Sequence, residues 1–164
     1  MSYVVDASVV IKWMVGEQGS DQAAAVMLGP VAAPDLLVSE CINALWKKVT
    51  RGELSAGEAE AAALVLQSAA ITFEPVQALA AQILELSMRL SHPAYDCAYL
   101  ALARRLQLPL VTADEKLAAR CSRKDVAGLV PVVQRLSDVR GRVMETAAAY
   151  LAPKKRARMS AGAL

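Results

Sequence analysis

The sequence predicts an α/β protein in which five short strands form a mostly parallel sheet, doubly wound and covered by helices on both faces. One reason is rhythm. Short apolar, β-rich runs alternate with longer segments of helical periodicity, and strands separated by helices pair in parallel, which requires both sheet faces to be buried. Right-handed crossovers then favour an open, doubly wound arrangement. A second reason is size and composition: 164 residues, 55% hydrophobic and 21% charged, suffice for one domain whose core needs no disulfide or structural metal. A third is punctuation, since "VVD" at residues 4–6 and "LVTAD" at 110–114 both halt an apolar run at an acid.

Each element has a local cause. Residues 2–5, "SYVV", are a β-rich run, and the apolar pattern from Val9 continues as a helix through Ile11 and Trp13. Gly16 and Gly19 interrupt it before a helix over 20–28, which Gly29-Pro30 stops. "VAA" at 31–33 is the second strand. Pro34-Asp35 opens a helix in which Val38, Cys41, Ile42, Leu45 and Val49 form one apolar stripe up to about Arg51-Gly52. Ser55 and Glu58 make a capping-box pattern at the head of an Ala-rich helix reaching about Ala69. "AITFEP" is the third strand, and 75–90 a helix. Ser91-His92-Pro93 starts the next helix, proline suiting its first turn. "LPLVTAD" is the clearest strand; a short helix over 114–121 and a last strand, "GLVPVV" at 128–133, follow it. Residues 1–136 read as one domain, 137–152 as an appended C-terminal helix and 153–164 as a flexible basic tail.

The net charge of +2 is uneven, because Lys154, Lys155, Arg156 and Arg158 sit in the tail without an acid. Of the 18 basic residues, removing those four leaves 14 against 16 acids, so the body is mildly acidic. Field strength alone therefore does not mark a polyanion binder, and contact with one would need local basic patches or metal ions. Cys41, Cys97 and Cys121 lie within helical patterns and read as reduced core residues of a cytoplasmic protein. No apolar run reaches the ~18 residues that cross a bilayer. Asp6 and Lys12 interrupt the opening apolar run, which lacks a basic leader, so neither a signal peptide nor a membrane partner is expected.

The chemistry concentrates in four acids. In open parallel sheets the usable crevice lies beyond the carboxyl ends of the strands, where the winding reverses. Asp6 and Asp114 each follow a strand directly, and both enter one crevice if those strands are neighbours. Glu40 flanks the apolar stripe of its helix, and Asp96 lies in the first turn of a nearly apolar one. Singly, Asp6 and Asp114 also fit helix N-caps, and Glu40 an exposed helix acid. Asp96 resists that account: a helix N-terminus returns ~0.3–1 kcal/mol to an anion, less than burial costs, so arginine or a metal must supply a partner charge. Four converging carboxylates without matching cations repel one another unless a divalent ion binds. All-oxygen ligation suits Mg²⁺ or Mn²⁺ rather than zinc. Ser8, Asn43 and Thr112 lie within a turn of Asp6, Glu40 and Asp114 and can orient the carboxylates. His92 reads as a capping or packing residue.

The stretches "VVDASVVIKW", "SECINALWK", "HPAYDCAYLALA" and "LVTADEKL" resemble, in order and spacing, the four acidic motifs of PIN-domain ribonucleases, most closely the VapC-type toxins of bacterial toxin–antitoxin pairs. The resemblance runs from residue 2 to about 134. It implies a PIN-like three-layer α/β/α sandwich with a central, mostly parallel five-stranded sheet. It also implies Asp6, Glu40, Asp96 and Asp114 as catalytic acids and metal ligands, Asp6 and Asp96 foremost. Further implications are dependence on Mg²⁺ or Mn²⁺, an RNA substrate, a homodimer and a cognate antitoxin. Some members carry a further acid just beyond the Asp114 position. Here Glu115 is adjacent but Leu117 is apolar, so a firmly held second metal is not implied.

The function expected on these grounds is metal-dependent hydrolysis of RNA phosphodiester bonds. Lys12, Lys47, Lys48, Arg51 and Lys116 are candidates for phosphate contacts, although exposed lysines ordinarily only solubilise, and that is the preferred reading of Lys47 and Lys48. Aromatics at 4% offer no obvious stacking platform, so recognition is expected to rest on RNA shape and backbone. Trp13 and Trp46 are expected in the core, the alternative being a groove between their helices for an antitoxin segment. Two rivals remain. A phosphoacceptor signalling domain would need paired acids after the first strand and a lysine after the last, and "VVDAS" and "GLVPVVQ" offer neither. A non-catalytic RNA- or protein-binding module of the same fold is opposed by the presence of all four acids.

Overall fold

A computed structural model of the chain describes residues 1–126 and 128–139. The tail at 153–164, and the helix expected over 137–152 from residue 140 onward, lie outside the described residues; Leu136–Asp138 form a 3-10 turn.

Strands β1 (Tyr3–Val5), β2 (Val31–Pro34), β3 (Ile71–Glu74), β4 (Leu110–Thr112) and β5 (Val133–Arg135) make one sheet in the order β3-β2-β1-β4-β5. Every pairing is parallel. The helices are α1 (Ala7–Val15), α2 (Ser20–Met27), α3 (Leu36–Thr50), α4 (Ala56–Ser68), α5 (Ala80–Leu90), α6 (Ala94–Leu106) and α7 (Glu115–Cys121). The chain moves outward from β1 to β3, crosses back to β4, and continues to β5. Right-handed crossovers therefore place α1–α4 on one face and α5–α7 on the other, with α1 packed on α2, α3 and α4, and α5 on α6. The winding reverses between β1 and β4, so the two strands that end in acids are neighbours at the sheet centre.

Sequence accounts for most of this locally. Val4 and Val5 are fully buried, as a central strand covered on both faces requires. Helix α6 buries every residue from Cys97 to Ala103 and lies against β1, β2 and β4, which explains its lack of polar company. The Ser55–Glu58 capping box is formed reciprocally.

Three details differ from expectation. Helix α3 buries Leu37, Cys41 and Leu45 and leaves Val38, Ile42 and Trp46 exposed, Trp46 by 61%. The buried row thus keeps Cys41 and Leu45 of the stripe read in sequence, adds Leu37, and leaves out Val38 and Ile42, which lie one residue further round the helix. Trp46 is thus not a core residue, whereas Trp13 packs partly buried against the core. The helix expected from 75 begins as a 3-10 turn over Val76–Leu79 before α5. Strand β5 begins at Val133 instead of 128, because Pro131 lacks an amide and the ladder opens with the Leu110 amide donating to the Val132 carbonyl. The cysteines are all free, Cys41 and Cys97 buried and Cys121 half-buried. Among the described residues no helix is long and apolar enough to cross a membrane.

Candidate active site

Pairing Val4 with Leu110 and Val5 with Val111 carries Asp6 alongside Thr112 at the carboxyl ends of β1 and β4. Asp6 is 6% exposed and caps α1, its Oδ1 accepting from the Val9 amide at 3.2 Å and from Ser8 Oγ at 2.5 Å. Thr112 Oγ1 donates to Asp6 Oδ2. The same two hydroxyls also accept, Ser8 Oγ from the Ala113 amide and Thr112 Oγ1 from the Asp114 amide, both at 2.8 Å. Ser8 and Thr112 therefore staple the two strand ends together around Asp6. Asp114 caps α7, its Oδ1 accepting from the amides of Lys116 and Leu117. Capping and cleft lining are not alternatives for these residues; both acids do both.

Glu40 and Asp96 arrive from helices on opposite faces of the sheet. On α3, Glu40, Asn43, Ala44 and Lys47 recur at helical spacing and share the side that turns to the cleft. Tyr99 of α6, 2% exposed, donates its hydroxyl to Glu40 Oε2 across the site. The sequence reading missed Tyr99, yet its spacing of three residues from Asp96 places both on one helix face, which was the available signal. Asn43 lines the cleft but, among the described residues, holds none of the acids by a hydrogen bond.

Asp96 is less buried than expected, its side chain 36% exposed, because the first turn of α6 opens onto the cleft. His92 Nε2 lies 2.8 Å from Asp96 Oδ2 but is poorly aligned, so this buried nitrogen has no hydrogen-bond partner. His92 is therefore the neighbour of Asp96 and not the helix cap, a place Pro93 takes.

All four acids line one cleft of about 290 Å³, together with Ser8, Asn43, Lys47 and Tyr99. A larger cavity of about 470 Å³ opens among Met1, Pro109 and Pro131, but no acid lines it. Among the described residues, neither lysine nor arginine pairs with any of the four cleft acids. The electrostatic consequence is visible in two of them. Burial pushes Asp6 up from the ordinary 3.8 to about 6, against hydrogen bonds from Ser8, Thr112 and Val9, and the Asp114 charge adds to the rise. Burial likewise raises Glu40, opposed by the Tyr99 hydroxyl and reinforced by the Asp96 charge.

The donor set fits a hard divalent ion, since the lining side chains able to ligate one are carboxylates, hydroxyls and an amide, with Lys47, among the described residues, the one cation beside them. Among the described residues, no three Asp, Glu, His or Cys side chains stand close enough to hold an ion as a ready-made cage. Binding through one or two carboxylates with water completing the shell is the habit of Mg²⁺. Glu115 is turned away to Arg135 at 3.0 Å, and Leu117 is buried, consistent with no further acid ligand from α7. Of the candidate cations, Lys12 and Lys48 are tied to Glu17 at 3.3 and 2.7 Å, and Lys48 and Arg51 to Glu53. Lys47 faces the cleft.

Residues 3–122 match the PIN domain family. Ribonuclease VapC9 of Mycobacterium tuberculosis is 34% identical over 115 residues, covering 70% of this chain and 87% of the relative. Among solved structures, M. tuberculosis VapC20, described as a sarcin-ricin loop cleaving toxin, superposes with a TM-score of 0.55 at 20% identity, covering 71% and 93% of the two chains. VapBC2 from Rickettsia felis, bound to a promoter DNA fragment, superposes with a TM-score of 0.58 at 11% identity, covering 82% and 98%. At those identities the structural likeness is one of fold.

Proposed function

This chain belongs to the PIN-domain family, among the VapC ribonucleases, and on that premise we propose that it is the endoribonuclease toxin of a toxin–antitoxin pair, hydrolysing RNA with Mg²⁺ or Mn²⁺. The observation that carries the reading is the cleft itself. Four acids from separate segments share it, and no lysine or arginine among the described residues neutralises them.

Asp6, Asp96 and Asp114 would hold the ion, one or two of them directly and the rest through its water shell, and Glu40 would position the attacking water or bind a second ion brought by the substrate. An ion held there neutralises phosphate oxygens and lowers the pKa of the attacking water. The chain supplies the rest. Ser8, Thr112 and the Val9 amide lock the orientation of Asp6 before any ligand arrives. Glu40, with Oε2 held by Tyr99, can take the water's proton on its other oxygen, and its raised pKa suits a proton acceptor. Hydrolysis then forms a bond from water oxygen to phosphorus and breaks the bond to the leaving sugar oxygen. Without a cation, repulsion between phosphate and four carboxylates opposes substrate binding, so metal dependence is strict.

A cognate antitoxin is the partner, and an arginine placed among the four carboxylates would inhibit by neutralising them. The catalytic unit is residues 1–136; it acts as a homodimer in the cytoplasm. The test is cleavage of RNA by antitoxin-free protein in Mg²⁺, Mn²⁺ or EDTA, alongside Asp6→Asn and Asp96→Asn. Cleavage should require metal and fail in both variants. Cleavage indifferent to chelator and substitutions would refute the mechanism, and metal-bound protein that cuts no RNA would leave a binding module.

A further inference from the structure

We propose that Lys47 is the cleft's fixed cation and grips an RNA phosphate beside the cut, a reading that rests on the ribonuclease function above. Five cations were candidates from sequence, and the fold separates them. Lys12 and Lys48 converge on Glu17, and Lys48 and Arg51 on Glu53, so each of these three has an acid partner outside the cleft. Lys116 follows Asp114 in the first turn of α7 but does not line the cleft. Lys47 alone among the five lines it.

Its position follows from α3. Glu40, Asn43, Ala44 and Lys47 lie at i, i+3, i+4 and i+7, so the lysine stands two turns along the same helix face as the acid. The cationic last turn of α3 suits the helix C-terminus, which accounts for lysines at both 47 and 48. It does not account for why Lys47, exposed and facing four carboxylates, pairs with none of them within 4.0 Å among the described residues. A lysine whose task was to neutralise the acids would be found on one. Held apart from them, its ammonium is available to a polyanion lying along α3, with the acids at one end of the contact and Lys47 at the other. An exposed, flexible ammonium binds substrate and transition state alike, so it acts on KM and leaves kcat largely alone.

Two measurements test this. The first uses the Asp6→Asn protein in saturating Mg²⁺, which should bind RNA without cleaving it, titrated against a short fluorescein-labelled single-stranded RNA of mixed sequence and read by anisotropy. Adding Lys47→Gln should weaken binding about fivefold and reduce the slope of log affinity against log salt by about 0.7. The second is steady-state cleavage in Mn²⁺, where Lys47→Gln should raise KM by a similar factor at near-constant kcat, and Lys47→Arg should restore it. Arg89→Gln, a charge removed from α5, controls for net charge. Unchanged affinity and salt slope in a parent that binds RNA would overturn the role of Lys47 and leave the ribonuclease standing. A wild type that neither binds nor cuts RNA in metal would overturn both.

Discussion

Replacing Asp6 by Asn should stabilise the metal-free protein while abolishing its activity. Asp6 is 6% exposed, and burial pushes its carboxyl from 3.8 to about 6, with Asp114 adding to the rise. A folded-state pKa above the unfolded one means that the native state binds the proton more tightly. Stability is therefore lost as pH rises from 3.8 toward about 6 and stays lost above it. At about 1.4 kcal/mol per pH unit, the full penalty at pH 8 is about 3 kcal/mol. Asparagine is neutral and nearly isosteric. Its carbonyl can accept from Ser8 and the Val9 amide, and its amide can donate to Thr112 Oγ1 once that hydroxyl turns. Retaining part of the gain, the variant should be more stable by about 1–3 kcal/mol at pH 8, and a chain of this size shifts by about 2–4 °C per kcal/mol. The assay is thermal unfolding in EDTA at pH 8 and pH 4, where the difference should nearly vanish. An Asn variant less stable than wild type at pH 8, or a gain equal at both pH values, would refute the claim that Asp6 is an uncompensated buried charge.

Saturating Mn²⁺ should raise the melting temperature of the wild type, as any ligand of the native state does, and raise it less for Asp6→Asn and Asp96→Asn; equal shifts would place the ion elsewhere. Tyr99→Phe removes the hydroxyl that holds Glu40 and should lower kcat about tenfold, as loss of one hydrogen bond to a charged group implies, with KM unchanged in steady-state cleavage. Leu100→Ala, at a fully buried site on α6, should cost about 2–5 kcal/mol by urea denaturation and leave the metal affinity of the folded fraction intact. Ser55→Ala breaks the capping box of α4, remote from the cleft, and should cost about 1 kcal/mol without changing cleavage.

Much of this architecture is legible along the chain because its causes are local. The capping box at Ser55 and Glu58, the Gly29-Pro30 stop and the β-rich run into "TAD" each act within a few residues. Asp6 and Asp114 could be assigned to one crevice because strands followed by acids in a parallel sheet emerge at the same end. Element edges were less legible. The stripe on α3 was read too wide on one side, since Val38 and Ile42 are as apolar as Leu37, Cys41 and Leu45, and only packing against α1 and α4 chooses between them. Asp96 was expected to be enclosed because its helix is apolar, but the enclosure begins at Cys97, one residue later.

The sequence by itself determined the α/β class, the order of its elements and the identities of the four acids, because propensity, capping and periodicity are properties of neighbouring residues. Tertiary structure alone decided which long-range partners those acids have. Thr112 reaches Asp6 and Tyr99 reaches Glu40 across 106 and 59 residues, Glu17 removes Lys48 from contention, and Lys47 is left facing the cleft. Such pairings arise from strand order and helix rotation, which depend on the burial of the whole core and have no signature in any short stretch of chain.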